Sequence, residues 1–315
     1  MINLITRTVL SATLLPIALS ADVFQETRQE YSWDCPGSGH LRFRRDLLCS
    51  TEELARMMES SEVTVIHVGF ENSSPGKVRR AAYSDGHLPG ARHLEWADLK
   101  GPQETMCPAL DRWPALSALG ILPGRRVVLY DTGLGLEAAA AFVALESVGL
   151  GDHAAMLDGQ WVKWVSEGRP LCRWSEEAAP ADLEPGFSEV TATKAETEAL
   201  VQASRGPSTG VTLVDAGAWG RDIQCPASQL RFLKLPWTEN LVHLNFPMIK
   251  SETELRRLWR NVPPCEEHRV LVAARNWREA AHPYFVARLL GYRVKILDQS
   301  VEDLLRGAAA LERGP

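Results

Sequence analysis

No apolar run in this chain of 315 residues reaches the length of about 20 residues that a membrane-spanning helix needs. The longest, Val9–Leu19, stops well short, so no membrane span is expected in the mature chain. There is no basic excess either: 34 Lys+Arg face 40 Asp+Glu, a net charge of −6. The short runs Arg42-Phe43-Arg44-Arg45 and Lys77-Val78-Arg79-Arg80 read as solvated surface. No nucleic-acid partner is therefore expected. None of the six cysteines (Cys35, Cys49, Cys107, Cys172, Cys225, Cys265) forms a C-x-x-C pair, which removes the zinc-site and thioredoxin spacings. No G-x-S-x-G elbow exists for a serine hydrolase, and no histidine pair has metal-ligand spacing. Neither a metal nor a cofactor is expected.

What is present begins with a secretory pattern. Arg7 precedes the Val9–Leu19 run, and Ala18-Leu19-Ser20 offers small residues where a signal peptidase reads. Residues 1–20 therefore read as a signal peptide, and the protein as periplasmic or secreted. Export permits disulfides. Cys35 and Cys49 flank a short glycine-containing stretch and are the favoured pair, tying down an N-terminal segment over 21–49.

Length suggests about two domains. Beyond residue 50, short apolar runs alternate with amphipathic stretches, which predicts an α/β fold of mostly parallel sheets covered by helices on both faces. The spacing predicts helices over Thr51–Glu59, capped by Thr51, and over Trp113–Leu119, Glu137–Val148 and Trp161–Glu167. Strands are predicted over Val63–Val68, Arg126–Tyr130 and Ala154–Leu157. The acidic, proline-containing stretch 173–190 reads as a linker. The order then repeats: helices over Ala195–Ser204, Glu252–Arg260, Glu279–Leu290 and Val301–Leu311, strands over Val211–Val214, Arg269–Ala273 and Arg293–Leu297. A repeat of about 140 residues means domain duplication, with boundaries at 50–172 and 191–315.

Three segments carry chemistry by their order. Gly86–Ala91 reads GHLPGA, Arg126–Asp131 reads RVVLYD, and Leu157–Leu171 reads LDGQWVKWVSEGRPL. Together they resemble the rhodanese family, in its tandem-domain form, the thiosulfate and 3-mercaptopyruvate sulfurtransferases. The second half matches more loosely. Val211–Arg221 is similar to the strand and turn that open a domain, and Thr238–Pro247 to a degenerate second GHLPGA-type segment. Arg269–Phe285 is similar to the strand, active-site loop and helix, and Ile296–Leu304 to the closing turn. The resemblance implies a loop whose backbone N–H groups form an anion cradle around a low-pKa cysteine, which carries sulfur as a persulfide.

This chain departs from that pattern at the deciding position. The resemblance puts Ala274 where the cysteine belongs and Asp131 at the first-domain equivalent. No cysteine lies between Cys265 and Pro315, and Trp277 and Glu279 crowd the loop. No catalytic residue is assigned. The expected function is binding, of a small anion or sulfur compound by Arg275, Asn276, Trp277, Arg278, Glu279 and Arg221, or of a protein partner. Active sulfur transfer through a relocated cysteine such as Cys225 is one alternative. A second is dinucleotide binding through Gly133, Gly135 and Ala138, a G-x-G-x-x-A match with Asp158 further on. Trp219, Trp237 and Trp277 are candidates for an apolar floor or partner surface in the interdomain cleft. His67, His87, His243 and His282 read as structural or cleft histidines.

Overall fold

The structure, a computed structural model, describes residues 41–60, 62–71, 81–102, 105–122, 124–174, 184–193, 197, 210–217 and 231–297. Residues 1–20, expected to be a signal peptide, all of the helix expected at 195–204 but residue 197, the helix expected at 301–311, and Cys35, Trp219, Arg221 and Cys225 lie outside these residues.

The first half runs β1 (Leu48–Cys49), α1 (Thr51–Glu59), β2 (Val63–Gly69), β3 (Arg92–Glu95), α2 (Ala109–Ala118), β4 (Arg126–Tyr130), α3 (Leu136–Ser147), β5 (Ala154–Leu157) and α4 (Gln160–Ser166). The second runs β6 (Thr191–Ala192), β7 (Val211–Asp215), β8 (Arg231–Lys234), β9 (Leu241–His243), β10 (Phe246–Ile249), α5 (Glu252–Leu258), β11 (Arg269–Ala273), α6 (Trp277–Leu289) and β12 (Arg293–Leu297). Each half builds one five-stranded sheet, in the orders β1-β5-β4-β2-β3 and β6-β12-β11-β7-β8. Every pairing within them is parallel. The orders superpose strand for strand, so the duplication read from the sequence is a duplication of topology. The α/β class with two parallel sheets is the fold observed.

The central strands are buried almost end to end, as sheets covered on both faces require. Two helices explain how the halves join. In α3, LEAAAAFVALES, 11 of the 12 residues are buried. α6 is buried nearly as completely, and neither helix has a polar face. A helix that is apolar all round needs cover all round. Here α3 and α6, equivalent in the two repeats, lie against each other, with Phe142 and Phe285 edge to face at 5.1 Å. Tyr284 donates to Glu146 at 2.7 Å, and Arg288 Nε donates to the same carboxylate at 2.7 Å.

Local corrections are small. α1 is capped by Ser50, whose hydroxyl accepts from the Glu53 amide at 3.1 Å, and Thr51 is the first helical residue. α2 begins at Ala109, four residues ahead of Trp113, with Pro114 still inside it. One correction is larger. Thr238–Pro247 is not the counterpart of GHLPGA: it forms the 3₁₀ turn Trp237–Asn240 and most of an antiparallel hairpin, β9–β10. The partner of β3 is β8, because each lies at the edge of its sheet beside the equivalent strand. Arg92-His93-Leu94-Glu95 aligns with Arg231-Phe232-Leu233-Lys234, and a tryptophan opens the 3₁₀ turn after each. That shared pattern was the missed signal. The residues just before Arg231 lie outside the described ones.

Candidate functional site

In both halves the site expected from topology is the turn that leaves the middle strand of the sheet, β4 or β11, and enters the long helix. The two turns differ in length and occupancy. In the first half, five residues, Asp131–Gly135, separate β4 from α3. The Asp131 carboxylate curls back into its own turn. Its Oδ1 accepts from the amides of Gly133 (2.7 Å) and Gly135 (3.1 Å), and its Oδ2 from those of Glu137 (3.0 Å) and Ala138 (3.2 Å). The amide cradle is intact and filled by an internal anion. Gln160 braces it, accepting from the Asp131 amide at 2.9 Å while holding φ at +55°, a left-handed conformation unusual for a side-chain-bearing residue. Gly135 has φ +86°, and a Cβ there would press on Gln160 and Met156 at 3.3 Å.

This geometry overturns the dinucleotide alternative. The amides of Gly133, Gly135 and Ala138, which a pyrophosphate would need, are bonded to Asp131. Asp158 accepts instead from the Ile249 amide at 2.9 Å, bracing the β9–β10 hairpin from the first half. Burial raises its pKa above the ordinary carboxylate range.

In the second half only Ala274, Arg275 and Asn276 separate β11 from α6. Helix α6 therefore begins inside the stretch that would curl around a ligand. The Asn276 side chain caps it, accepting from the Glu279 amide at 2.9 Å. Glu279 is buried, with its carboxylate 3.2 Å from Arg275 Nη2. Trp277 is buried and stacked on Trp96 of the first half, with ring centroids 5.3 Å apart. Arg278 lies over the same Trp96 ring at 5.6 Å and donates to the buried Glu137 at 2.9 Å. The structure thus brings the loop residues together but gives Asn276, Trp277, Arg278 and Glu279 other tasks: capping, stacking, pairing across the halves, and a buried negative charge. Arg275 alone extends to solvent, and Arg221 is outside the described residues. The expectation that Trp237 and Trp277 line an open cleft is also corrected, because both are buried.

The cysteines need a correction too. Cys49 is a free, buried thiol in β1, so it makes no bridge to Cys35. Burial, with Glu53 nearby, pushes its pKa up to about 12. Cys107 and Cys172 are also free, and Cys265, in the loop before β11, is disulfide-bonded.

Histidines cluster beside the first sheet. His67 Nδ1 and His93 Nδ1 share one hydrogen bond at 3.0 Å, and His87 stacks on Tyr83 at 3.7 Å. His67 is held neutral by burial, its pKa lowered to about 3, with His93 and His87 adding to the effect. His243 lies in the β9–β10 hairpin, away from any such cluster.

Comparison with known proteins agrees with the topology. Residues 50–167 match the Rhodanese-like domain model. A Pseudomonas aeruginosa protein named a probable 3-mercaptopyruvate sulfurtransferase is 28% identical over 182 residues, covering 55% of this chain and 62% of that one. The chain thus matches less than two thirds of that relative's length. The sulfur carrier protein TtuD of Thermus thermophilus is 26% identical over 277 residues, covering 81% of this chain and 92% of that one. The crystal structure of SseA from Escherichia coli, described as having the rhodanese fold of 3-mercaptopyruvate sulfotransferases, superposes with a TM-score of 0.62. The identity there is 19%, over 81% of this chain and 98% of that one. Residues 50–167 thus match a rhodanese-like domain, and over about four fifths of its length the chain is similar to a protein named a sulfur carrier and to a solved structure with the rhodanese fold.

Proposed function

We propose that this chain is an exported, catalytically degenerate sulfurtransferase relative that acts by binding a protein partner. The observation that carries the reading is the 274–276 turn. It holds no thiol, its helix is capped from within by Asn276, and the buried Glu279 carboxylate lies in the first turn of that helix, paired with Arg275. Covalent sulfur transfer needs a thiolate among convergent donors, and this turn supplies neither. The free thiols of Cys49 and Cys107 are both pushed towards the protonated form, by burial first.

A protein partner is favoured over a small anion because the turn's groups are already engaged and an apolar surface is on offer elsewhere. The β9–β10 hairpin leaves Val242, Leu244 and Phe246 exposed within five residues, while Leu241 and Ile249 anchor its base in the core. Export is supported by the signal-like residues 1–20 and by the disulfide at Cys265, a bond that persists in oxidising compartments.

The test is sulfur transfer from thiosulfate to cyanide and from 3-mercaptopyruvate. It uses the mature protein and an Ala274→Cys variant, with mass spectrometry for persulfide. Silence is expected from both. A persulfide on any native cysteine, Cys225 included, would make this an enzyme with a relocated nucleophile. Turnover regained by Ala274→Cys would restore a small sulfur anion to the turn and overturn the partner reading.

A further inference from the structure

At the opposite end of the second sheet from the 274–276 turn, the amino-terminal ends of β11 and β12 open onto a pocket of about 450 Å³. That is within the size range of small-molecule sites. Its charged walls are Arg269, Arg288, Arg293 and Lys295 against Glu146 and Glu189. The two carboxylates are already engaged. Glu146 accepts from Arg288 and Tyr284, both at 2.7 Å, and Glu189 accepts from Lys295 at 3.0 Å. Neither the Arg269 nor the Arg293 guanidinium has a hydrogen bond or an ion pair with a described residue. They are Cα partners in register at the first residues of neighbouring parallel strands, so their side chains start out side by side at the end of the sheet. Like charges in that relation repel. A second hollow of about 290 Å³ shares Arg288 and Arg293 and adds Arg42, Glu266 and Arg44, the last paired with Asp46 at 2.7 Å. Its rim is fixed to α6 by the Arg44 amide, which donates to Leu289 O at 2.8 Å. This concentration of positive charge lies in a protein whose net charge is −6. The remaining wall is mostly apolar, from Val190, Ala192, Val270, Leu271 and Val294, with Ser188 among them.

We propose that this pocket binds a small organic dianion, a phosphate- or sulfate-type oxyanion carried on an apolar body. Arg269 and Arg293 would grip the oxyanion, since paired guanidinium forks match its geometry and the bound charge removes their repulsion. The apolar wall would take the body. The site is separate from the 274–276 turn and does not depend on whether sulfur transfer survives.

The test is calorimetric titration of the full chain with phenyl phosphate at fixed ionic strength, beside inorganic phosphate. Saturable one-to-one binding of phenyl phosphate is expected, several-fold tighter than inorganic phosphate. Arg269→Gln and Arg293→Gln should each weaken it tenfold or more, and Arg56→Gln on α1 should not change it. Unliganded Arg293→Gln should melt at or above the parent temperature, because a repulsion has been removed. Absence of saturable binding, equal binding by Arg269→Gln and Arg293→Gln, or equal affinity for the two phosphates would overturn the proposal. So would a lower melting temperature for unliganded Arg293→Gln, since the arginines would then be structural.

Discussion

Asp131 and Asn276 solve one problem at equivalent places: each satisfies the orphan amides where a strand gives way to a long helix. Asp131 does so with a charge and four amides, Asn276 with a neutral cap and one. Hydrogen bonds to a charged group are the stronger kind, and unsatisfied buried amides are costly. Asp131→Ala should therefore destabilise the protein by about 3 kcal/mol, while Asn276→Ala should cost about 1 kcal/mol as an ordinary cap deletion. Urea unfolding of the two variants checks the ranking, and equal losses would contradict it. Three buried histidines set the response to acid. Burial lowers His67 to about 3, and His268 and His282 each to about 4. Their unfolded value is near 6.5, so between there and about 4 the unfolded chain binds more protons than the folded one. Stability therefore rises with pH across that window and is lost as pH falls through it. At pH 5 each histidine should cost on the order of 1–2 kcal/mol relative to pH 7. His282, wholly buried with neither ring nitrogen bonded among the described residues, is the cleanest probe. His282→Phe should flatten the pH 7-to-5 change in urea midpoint by one such share.

Elements meet across the halves at the helix starts. Glu137 sits in the first turn of α3 and Arg278 in the first turn of α6, and their ion pair joins the two repeats. Glu137 is almost wholly buried, so removing Arg278 takes a charged partner from a buried carboxylate. Arg278→Ala should cost about 3 kcal/mol, and adding Glu137→Gln should return part of that loss. A double-mutant cycle by chemical denaturation measures it, and simple additivity would mean that the pair is uncoupled. The two turns also predict opposite behaviour for an engineered thiol. In Asp131→Cys a thiolate would occupy a place facing four amides, so its pKa should fall below the ordinary value of about 8.5. In Ala274→Cys the shortened turn and the nearby Glu279 give no such help, and its pKa should not fall. Alkylation rate against pH, read site by site by mass spectrometry, separates them.

For the whole molecule, duplication explains the architecture. Two copies of one sheet order each present a long helix buried on nearly every side, and these two helices cover each other and pair their charged residues. The Cys265 disulfide adds a covalent restraint. Reduction should lower the melting temperature, corresponding to about 2–4 kcal/mol, while native-state alkylation should leave Cys49 untouched. Modification of Cys49 without unfolding would contradict its burial.

Sequence alone determined the parts that depend on periodicity and local chemistry. Val127–Tyr130 and Val270–Ala273 are continuous apolar runs, and these mark buried parallel strands wherever they occur. That the 274–276 turn holds no cysteine follows from residue identity alone, and no packing can supply one. Tertiary structure decided what depends on partners distant in the chain. Trp277 and Arg278 read as binding groups until Trp96 and Glu137, far earlier in the chain, took them up. Cys49 read as half of a disulfide until β1 entered the sheet beside β5 and buried it. Gly133-Leu134-Gly135 read as a phosphate loop until the Asp131 carboxylate was seen to occupy its amides. Arg269 and Arg293 are 24 residues apart and unremarkable in sequence. Parallel pairing of β11 and β12 sets them side by side, because register alone decides which residues of two strands share a position.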